Sequence, residues 1–381
     1  MPPLYNHPDT IKRIYGQGFV DYTITRRLPK ILANIESYLK GQAAQIMLQA
    51  IINGSSIDTT VFTRPTTYWH NYLDQLTGFT WDDLSFFDLE FLFYHGLNSI
   101  AGYFDSGVDV FLQARQSALT KAIPDVTNGL EKLSELSGLD LLKATMRGAL
   151  FANETDYSQL VTSQGDNSLW HERILLDDSE QWSARLHNLD QGEIRLIADN
   201  AGHELCWDLV MVDAILRLSS TISVVVHVKP WPMFVSDALF IDVEETINSF
   251  LNNDLSDKMR SLGQRLRTAM EDGRLQIQAE VDWGEPRHFD SLNPNLANTL
   301  SNSIGIIAKG DLNYRRFVQD RQWPMDTPIE IVTAGVPFKA LALRVLKSDA
   351  LVSITPSITE KAATKFEDWR TRGYFAVVQS V

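Results

Sequence analysis

The stretch from Glu193 to Leu218, EIRLIADNAGHELCWDLVMVDAILRL, can fold in few ways. Ile194, Leu196 and Ile197 make a short apolar run of strand type that stops at Asp199-Asn200-Ala201-Gly202. Beyond this turn Leu205, Leu209, Val212 and Leu216 recur at steps of four, three and four, the spacing of one helix face. Asp199 or Asn200 can cap the first turn of that helix, and Glu204 stands near its positive end. The unit is strand, acidic turn, helix. In a doubly wound sheet, ligands collect beyond the carboxyl ends of the strands, so the turn sets a carboxylate and an amide oxygen where a ligand is held. Oxygens of that kind suit a hard cation such as Mg²⁺ or Mn²⁺, and the glycine-rich cradle of a dinucleotide loop is missing. An Asp-Asn pair after a strand is more commonly a plain capped turn, so the turn alone does not decide.

Its surroundings repeat the pattern. Short apolar runs at Ile174 to Leu176, Ser223 to Val228, Leu275 to Val281, Ile304 to Ala308, Ala342 to Val345 and Phe375 to Val378 read as further strands, with helical patterns at Ile241 to Leu251 and Asp254 to Met270. Residues 1 to about 150 read instead as helices, over Thr23 to Ala50, Trp81 to Phe111 and Thr127 to Leu150, the last broken by Gly138, while Pro29 suits a first helical turn. The expected fold is α/β: a three-layer α/β/α domain with a largely parallel sheet over 151–381, preceded by an all-helical domain over 1–150.

A formal charge of −14 speaks against a nucleic-acid partner, because phosphate backbones are held by clustered Lys and Arg. No apolar run approaches the length of a membrane span, and the start MPPLYNHPDTIKRIYGQGF lacks the apolar core of a signal peptide. The single cysteine, Cys206, cannot form an internal disulfide and reads as a core residue, so a reducing cytoplasm is the expected location.

Three more strand ends carry polar chemistry. The run ending at Ser236-Asp237 follows the turn Lys229-Pro-Trp-Pro, and Asp237 is a second candidate metal ligand, unless it caps the helix near Ile241. The run ending at Lys309-Gly310-Asp311 exposes Asn313, Tyr314, Arg315 and Arg316: a glycine for close backbone approach, then donors suited to a phosphorylated ligand, or else an ordinary basic turn. Lys347, in ALALRVLKSDALVSI, is placed to meet a phosphoryl oxygen or to snorkel from a sheet edge. Acidic and cationic strand ends on one sheet let a metal and basic side chains share a phosphate. Walker A, GxGxxG, GxSxG, HExxH and CxxC patterns are absent.

In that order, ADNAGHELCWDLV, FVSD, KGDLNYRR and LRVLK resemble the signature segments of the damage-control phosphatases (domain of unknown function 89), in the acidic-residue-methyltransferase-like branch. Weaker likeness reaches RRLPKIL near Arg26, FDLEFLFY near Glu90, FANETDYS near Asn153 and the closing GYFAVVQ. The resemblance implies a phosphatase dependent on Mn²⁺, Mg²⁺, Co²⁺ or Ni²⁺ that hydrolyses sugar phosphates such as fructose 1-phosphate, or damaged phosphometabolites. Carried over, Asp199, Asn200 and Asp237 correspond to metal ligands and, with Lys347, to the catalytic set. Lys309, Asp311, Leu312, Asn313, Tyr314 and Arg315, with Glu204 and Asn153, correspond to substrate-binding positions. The chain departs from the family at Val345, where an Arg-Thr-x-Lys motif has Thr, and in EFLFYHG, where arginines are lost. The branch name advertises a rival, carboxyl methyl transfer from S-adenosylmethionine, for which no glycine-rich turn is present. A sugar-phosphate sensor without turnover is a third reading. Either water or Asp199 can be the attacking group.

Overall fold

A computed structural model describes residues 7–39, 41–152 and 172–381. Helices of eight residues or more are, in chain order, α1 (Leu28–Ile35), α2 (Ala43–Ile52), α3 (Thr67–Gln75), α4 (Phe86–Ala101), α5 (Leu112–Leu133), α6 (Gly138–Phe151), α7 (Ser179–His187), α8 (His203–Leu216), α9 (Phe240–Phe250), α10 (Asp257–Glu271), α11 (Pro294–Ser301), α12 (Gly310–Phe317) and α13 (Pro356–Lys365). The strands are β1 (Ile174–Asp177), β2 (Gln191–Ile197), β3 (Thr221–Val228), β4 (Leu275–Ala279), β5 (Gly305–Lys309), β6 (Leu341–Val345) and β7 (Ala376–Ser380).

All seven expected strands are present and join one sheet in the order β1-β7-β6-β5-β2-β3-β4. Every neighbouring pair is parallel except β6 with β7. Strands covered on both faces read as unbroken apolar runs, which is why they were visible in the sequence. Ile194, Leu196, Val224, Val226, Ile307, Leu341 and Leu343 turn to one face and pack with α8. On the opposite face Ile197, Ile306, Ala308 and Ala342 meet Phe289, Phe317, Phe338 and Trp369.

The chain runs from β2 outward through β3 to β4, then returns to place β5 on the other flank of β2. That reversal opens a crevice at the carboxyl ends of β2 and β5, where open α/β sheets take their ligands. Asp199 and Gly310 stand at its two lips.

The amino-terminal helices have a core of their own, with Ile24, Leu28, Leu32, Trp69, Phe87, Phe91 and Phe93. The expected long helix over Thr23 to Ala50 is divided into a π-helical turn at Thr23–Arg27, α1 with Pro29 in its first turn, and α2. The helix expected from Thr127 begins at Leu112 and holds Pro124 inside it, because Ala122 and Val126 are buried against the α8 layer and outweigh the local cost of proline. Core packing crosses position 150: α5 and α6 share the apolar cluster of α8 and the sheet. Among the described residues no helix is long and apolar enough to cross a membrane.

Candidate active site at the strand reversal

Two consecutive strand-to-helix turns are sewn together at the reversal. Asn200 and Asp237 form an isolated antiparallel bridge; Ala201 N–H donates to the Ser236 carbonyl at 2.7 Å and Ala238 N–H to that of Asp199 at 2.8 Å. The path into this bridge is strained. Phe234 (φ 50°) and Val235 (φ 70°) lie in the left-handed region, which a β-branched residue rarely enters and which costs of order 1–3 kcal/mol. Asp237 does not cap α9: the Leu239 N–H is taken by Asp242 Oδ2 at 2.8 Å.

Asp199, Asp237 and Glu204 are all buried. The Asn200 amide is the hub, its Nδ2 donating to Asp199 Oδ2 at 2.8 Å and to Glu204 Oε2 at 3.0 Å while its Oδ1 accepts from the Ser236 hydroxyl at 2.5 Å. Lys229 brings its ammonium within 3.0 Å of Asp237 Oδ2, but that oxygen has no well-aligned hydrogen bond. Burial first, then repulsion from Glu204 and Asp237, holds the Asp199 carboxyl well above the carboxylate range, and Lys229 and Lys347 only partly oppose this. Burial likewise raises Asp237 against the pull of Lys229.

The opposite lip comes from β5 and α12. Gly310 (φ 85°) brings main chain directly against the Asp199 carboxylate. Behind it the Lys309 ammonium meets Glu204 Oε1 at 2.9 Å, Asp208 Oδ1 at 3.0 Å and the Ala149 carbonyl at 2.6 Å. Burial works to raise Glu204, yet Lys309, Lys347 and the Asn200 amide prevail and lower it. Asp208 is pushed up to about 7, chiefly by burial, with Lys309 opposing and Glu204 adding to the rise.

The third wall follows β6. Asp311 Oδ1 accepts from Arg344 Nε at 2.8 Å and from the Lys347 N–H at 3.1 Å, so it fixes the turn that carries Lys347. Lys347 lies past the end of β6 and is exposed, so the expectation of a lysine interrupting a core strand is corrected: the strand ends before it. A cleft of about 190 Å³ is lined by Asp199, Glu204, Gly310, Asp311 and Lys347, with Leu343 and Val345 beside them.

The rest of the expected loop is engaged elsewhere. Lys309 is buried outside the cleft, and Arg315 is clamped by Glu90 at 2.6 Å and Asp320 at 2.7 Å, which raises its pKa although burial alone works to lower it. Leu312 packs into the amino-terminal helical core. Tyr314 donates to Gln379 at 2.9 Å, and Asn313 Nδ2 donates to the Lys309 carbonyl at 2.8 Å. Asn153 lies outside the described residues. Sequence reasoning missed Lys229 and Asp208 as members of the cluster. Asp208 had a signal: it stands four residues after Glu204, one turn on along the same face of a mostly apolar helix, a costly place for two carboxylates without a purpose.

Among the described residues no three His, Cys, Asp or Glu side chains are grouped to hold a metal by themselves, so a cation here needs the Asn200 amide oxygen as third protein donor. The donor set fits a hard divalent ion: all oxygen, two carboxylates raised chiefly by burial and further by Glu204, and one buried oxygen on Asp237 without a good hydrogen bond.

Residues 23–361 match the family model described as the damage-control phosphatase ARMT1-like domain. A protein named damage-control phosphatase ARMT1 from Danio rerio is 29% identical over 279 residues, covering 68% of this chain and 62% of that one. Its namesake from Xenopus tropicalis is 29% identical over 284 residues, covering 69% and 64%. The chain thus spans less than two thirds of the length of these relatives. A solved structure of a DUF89 family protein from Pyrococcus horikoshii aligns over 97% of this chain and 99% of that one, with 11% identity and a TM-score of 0.46.

Proposed function

This chain belongs to the damage-control phosphatase ARMT1-like family, and from that premise we propose that it hydrolyses phosphate monoesters of small metabolites with the help of a divalent cation. The observation that carries the reading is the meeting of Asp199, Asn200 and Asp237, from two adjoining turns, at the strand reversal under a small cleft rimmed by Lys347.

Asp199, Asp237 and the Asn200 amide oxygen would hold the cation, which supplies Lewis acidity toward a phosphoryl oxygen. For this the amide turns over, its Oδ1 facing the carboxylates and its Nδ2 donating to Ser236; the opposite assignment differs only in which end is called nitrogen. Lys347 takes a second phosphoryl oxygen, held in register by its own N–H on Asp311. Lys309 tethers Glu204 through Oε1, which keeps that carboxylate beside the Asn200 side chain. Gly310 lets main chain close over Asp199 and exclude water from that side.

The cleft is smaller than the roughly 300–1,000 Å³ of most ligand sites, so it suits a phosphoryl group with a few attached atoms, the rest of the ester projecting outward. Sugar phosphates, fructose 1-phosphate among them, meet that description, with Mn²⁺, Mg²⁺, Co²⁺ or Ni²⁺ as the cation and the cytoplasm as the place of action. The test is phosphate release from a panel of esters with and without added metal. Metal-stimulated release supports the reading. Binding without release on every ester, or methyl transfer from S-adenosylmethionine without release, overturns it.

A further inference from the structure

Beside the cleft a second, open hollow of about 670 Å³ shares Lys347 and Gly373 with it. One wall is the π-helical turn Thr23–Arg27 and the start of α1, along which Arg26, Arg27 and Lys30 stand exposed. Arg372 and Lys347 stand on the other side, and Ser236, of the strained turn, is also in the lining. Single π-turns are rare and gather at functional sites, because the inserted residue re-aims the side chains around it.

The charge here runs against the rest of the molecule. The chain carries −14, yet five cations and no Asp or Glu are among the described residues lining the hollow. Arg372 pairs with Asp368 at 3.1 Å, whereas Arg26, Arg27, Lys30 and Lys347 have no carboxylate within ion-pair distance among the described residues. Cations without a close carboxylate repel one another, and the contacts the fold gives them, such as Arg27 over the Phe19 ring at 5.4 Å, leave their N–H donors free for a ligand. An anion held among them removes that repulsion and makes charge-assisted hydrogen bonds. One phosphoryl group over Asp199 uses Lys347 and leaves the three cations of the α1 wall unused.

We infer that the hollow is a subsite for a second phosphoryl group, so that the preferred substrates are bisphosphorylated small metabolites: one phosphoryl group enters the cleft and the other lies against Arg26, Arg27 and Lys30. The inference rests on the phosphatase reading for the first position only. A patch that merely attracts anions would favour any bisphosphate through its larger charge, whereas a subsite favours one spacing of the two phosphoryl groups; 1,3-propanediol bisphosphate, of equal charge and shorter span, should therefore lose the advantage, and an equal preference for it overturns the subsite.

The experiment compares fructose 1-phosphate with fructose 1,6-bisphosphate, by kcat/KM for phosphate release with Mn²⁺ and by calorimetric Kd on chelator-treated protein, in the wild type and in an Arg26→Gln/Arg27→Gln variant. Both arginines are exposed, so the variant should fold. At low salt the bisphosphate should be favoured by about tenfold or more in both measurements, and the advantage should shrink with rising ionic strength. The double variant should bring the bisphosphate down to the level of the monophosphate while leaving monophosphate kcat within about twofold. A ratio near one in the wild type, or a preference that survives the double substitution, overturns the subsite. If neither ester releases phosphate but the Kd preference is present and lost in the variant, the subsite stands and the catalytic reading falls.

Discussion

Gly310 and Asp199 stand so close that a methyl group cannot come between them: a Cβ on Gly310 would lie 2.0 Å from Asp199 Oδ2 and 2.2 Å from its Cγ. Gly310→Ala must therefore push the buried carboxylate aside, besides adopting a left-handed backbone that costs about 1 kcal/mol. A misplacement near 1 Å at a reacting centre costs on the order of 100-fold, so kcat/KM should drop by that much while the melting temperature falls by a few degrees. Unchanged turnover in this variant would remove Asp199 from the reacting centre.

Asp237→Asn keeps the shape of a proposed ligand and removes its charge. Metal should bind more weakly, so the titration of activity with Mn²⁺ should move to higher concentration and excess metal should restore part of the rate. Asp199→Asn should be rescued poorly, because Asp199 lines the cleft and Asp237 does not. Superimposable titrations of Asp237→Asn and wild type would refute the ligand assignment. Chelation itself should abolish turnover and leave circular dichroism unchanged.

Lys347 is exposed at the rim and anchored through its main chain. Lys347→Met should lower kcat/KM by about two orders of magnitude, the scale of losing one electrostatic stabiliser, with a melting temperature indistinguishable from wild type. Near-normal turnover with a large loss of stability would make the lysine structural.

Arg315 should behave in the opposite way. Its guanidinium is the buried partner of both Glu90 and Asp320, and Arg315→Ala strands those carboxylates. Breaking a buried ion pair from one side costs about 3–5 kcal/mol, which urea denaturation will read directly, whereas KM of the folded fraction should stay close to wild type. A selective rise in KM without loss of stability would return Arg315 to the substrate.

Stability should depend on pH through buried histidines. His95 stacks on Trp69 with ring centres 3.7 Å apart, its Nε2 is 2.7 Å from the Thr63 carbonyl, and burial lowers its pKa to about 4. In the unfolded chain it titrates near 6.5, so the unfolded state binds the extra proton between those values, and the contribution is lost as pH falls from about 6.5 toward 4. Carboxyls whose pKa is raised on folding, Asp208 among them, act in the opposite direction, so the clean quantity is a difference. Relative to His95→Gln, the wild type should lose about 1 kcal/mol per pH unit across that window in urea titrations. A difference that stays constant between pH 7 and 5 excludes a neutral buried His95.

The strands and the acidic turn were legible because their causes are local. Ile194, Leu196 and Ile197 must be covered on both faces, and a run that ends at Asp199 has nowhere to go but a turn. The fates of Lys309, Arg315 and Lys347 were not legible. All three are cations near strand ends, and only the carboxylates that approach from elsewhere separate them: Glu90, 225 residues from Arg315, and Glu204, 105 residues from Lys309. Likewise α5 and α6 have the helical texture of the amino-terminal half, but periodicity does not say which neighbour an apolar stripe will meet. Here it meets α8.

One short helix belongs to two cores at once. On α12, Leu312 packs among the amino-terminal helices and Arg315 pairs with Glu90 of α4, while Phe317 is built into the core on the sheet. Neither layer can melt without exposing a face of α12 that the other layer buries, so the two should unfold as one cooperative unit. A single calorimetric transition is the signature of that arrangement. Cutting the chain between the layers should then give two pieces that unravel rather than two that stand alone.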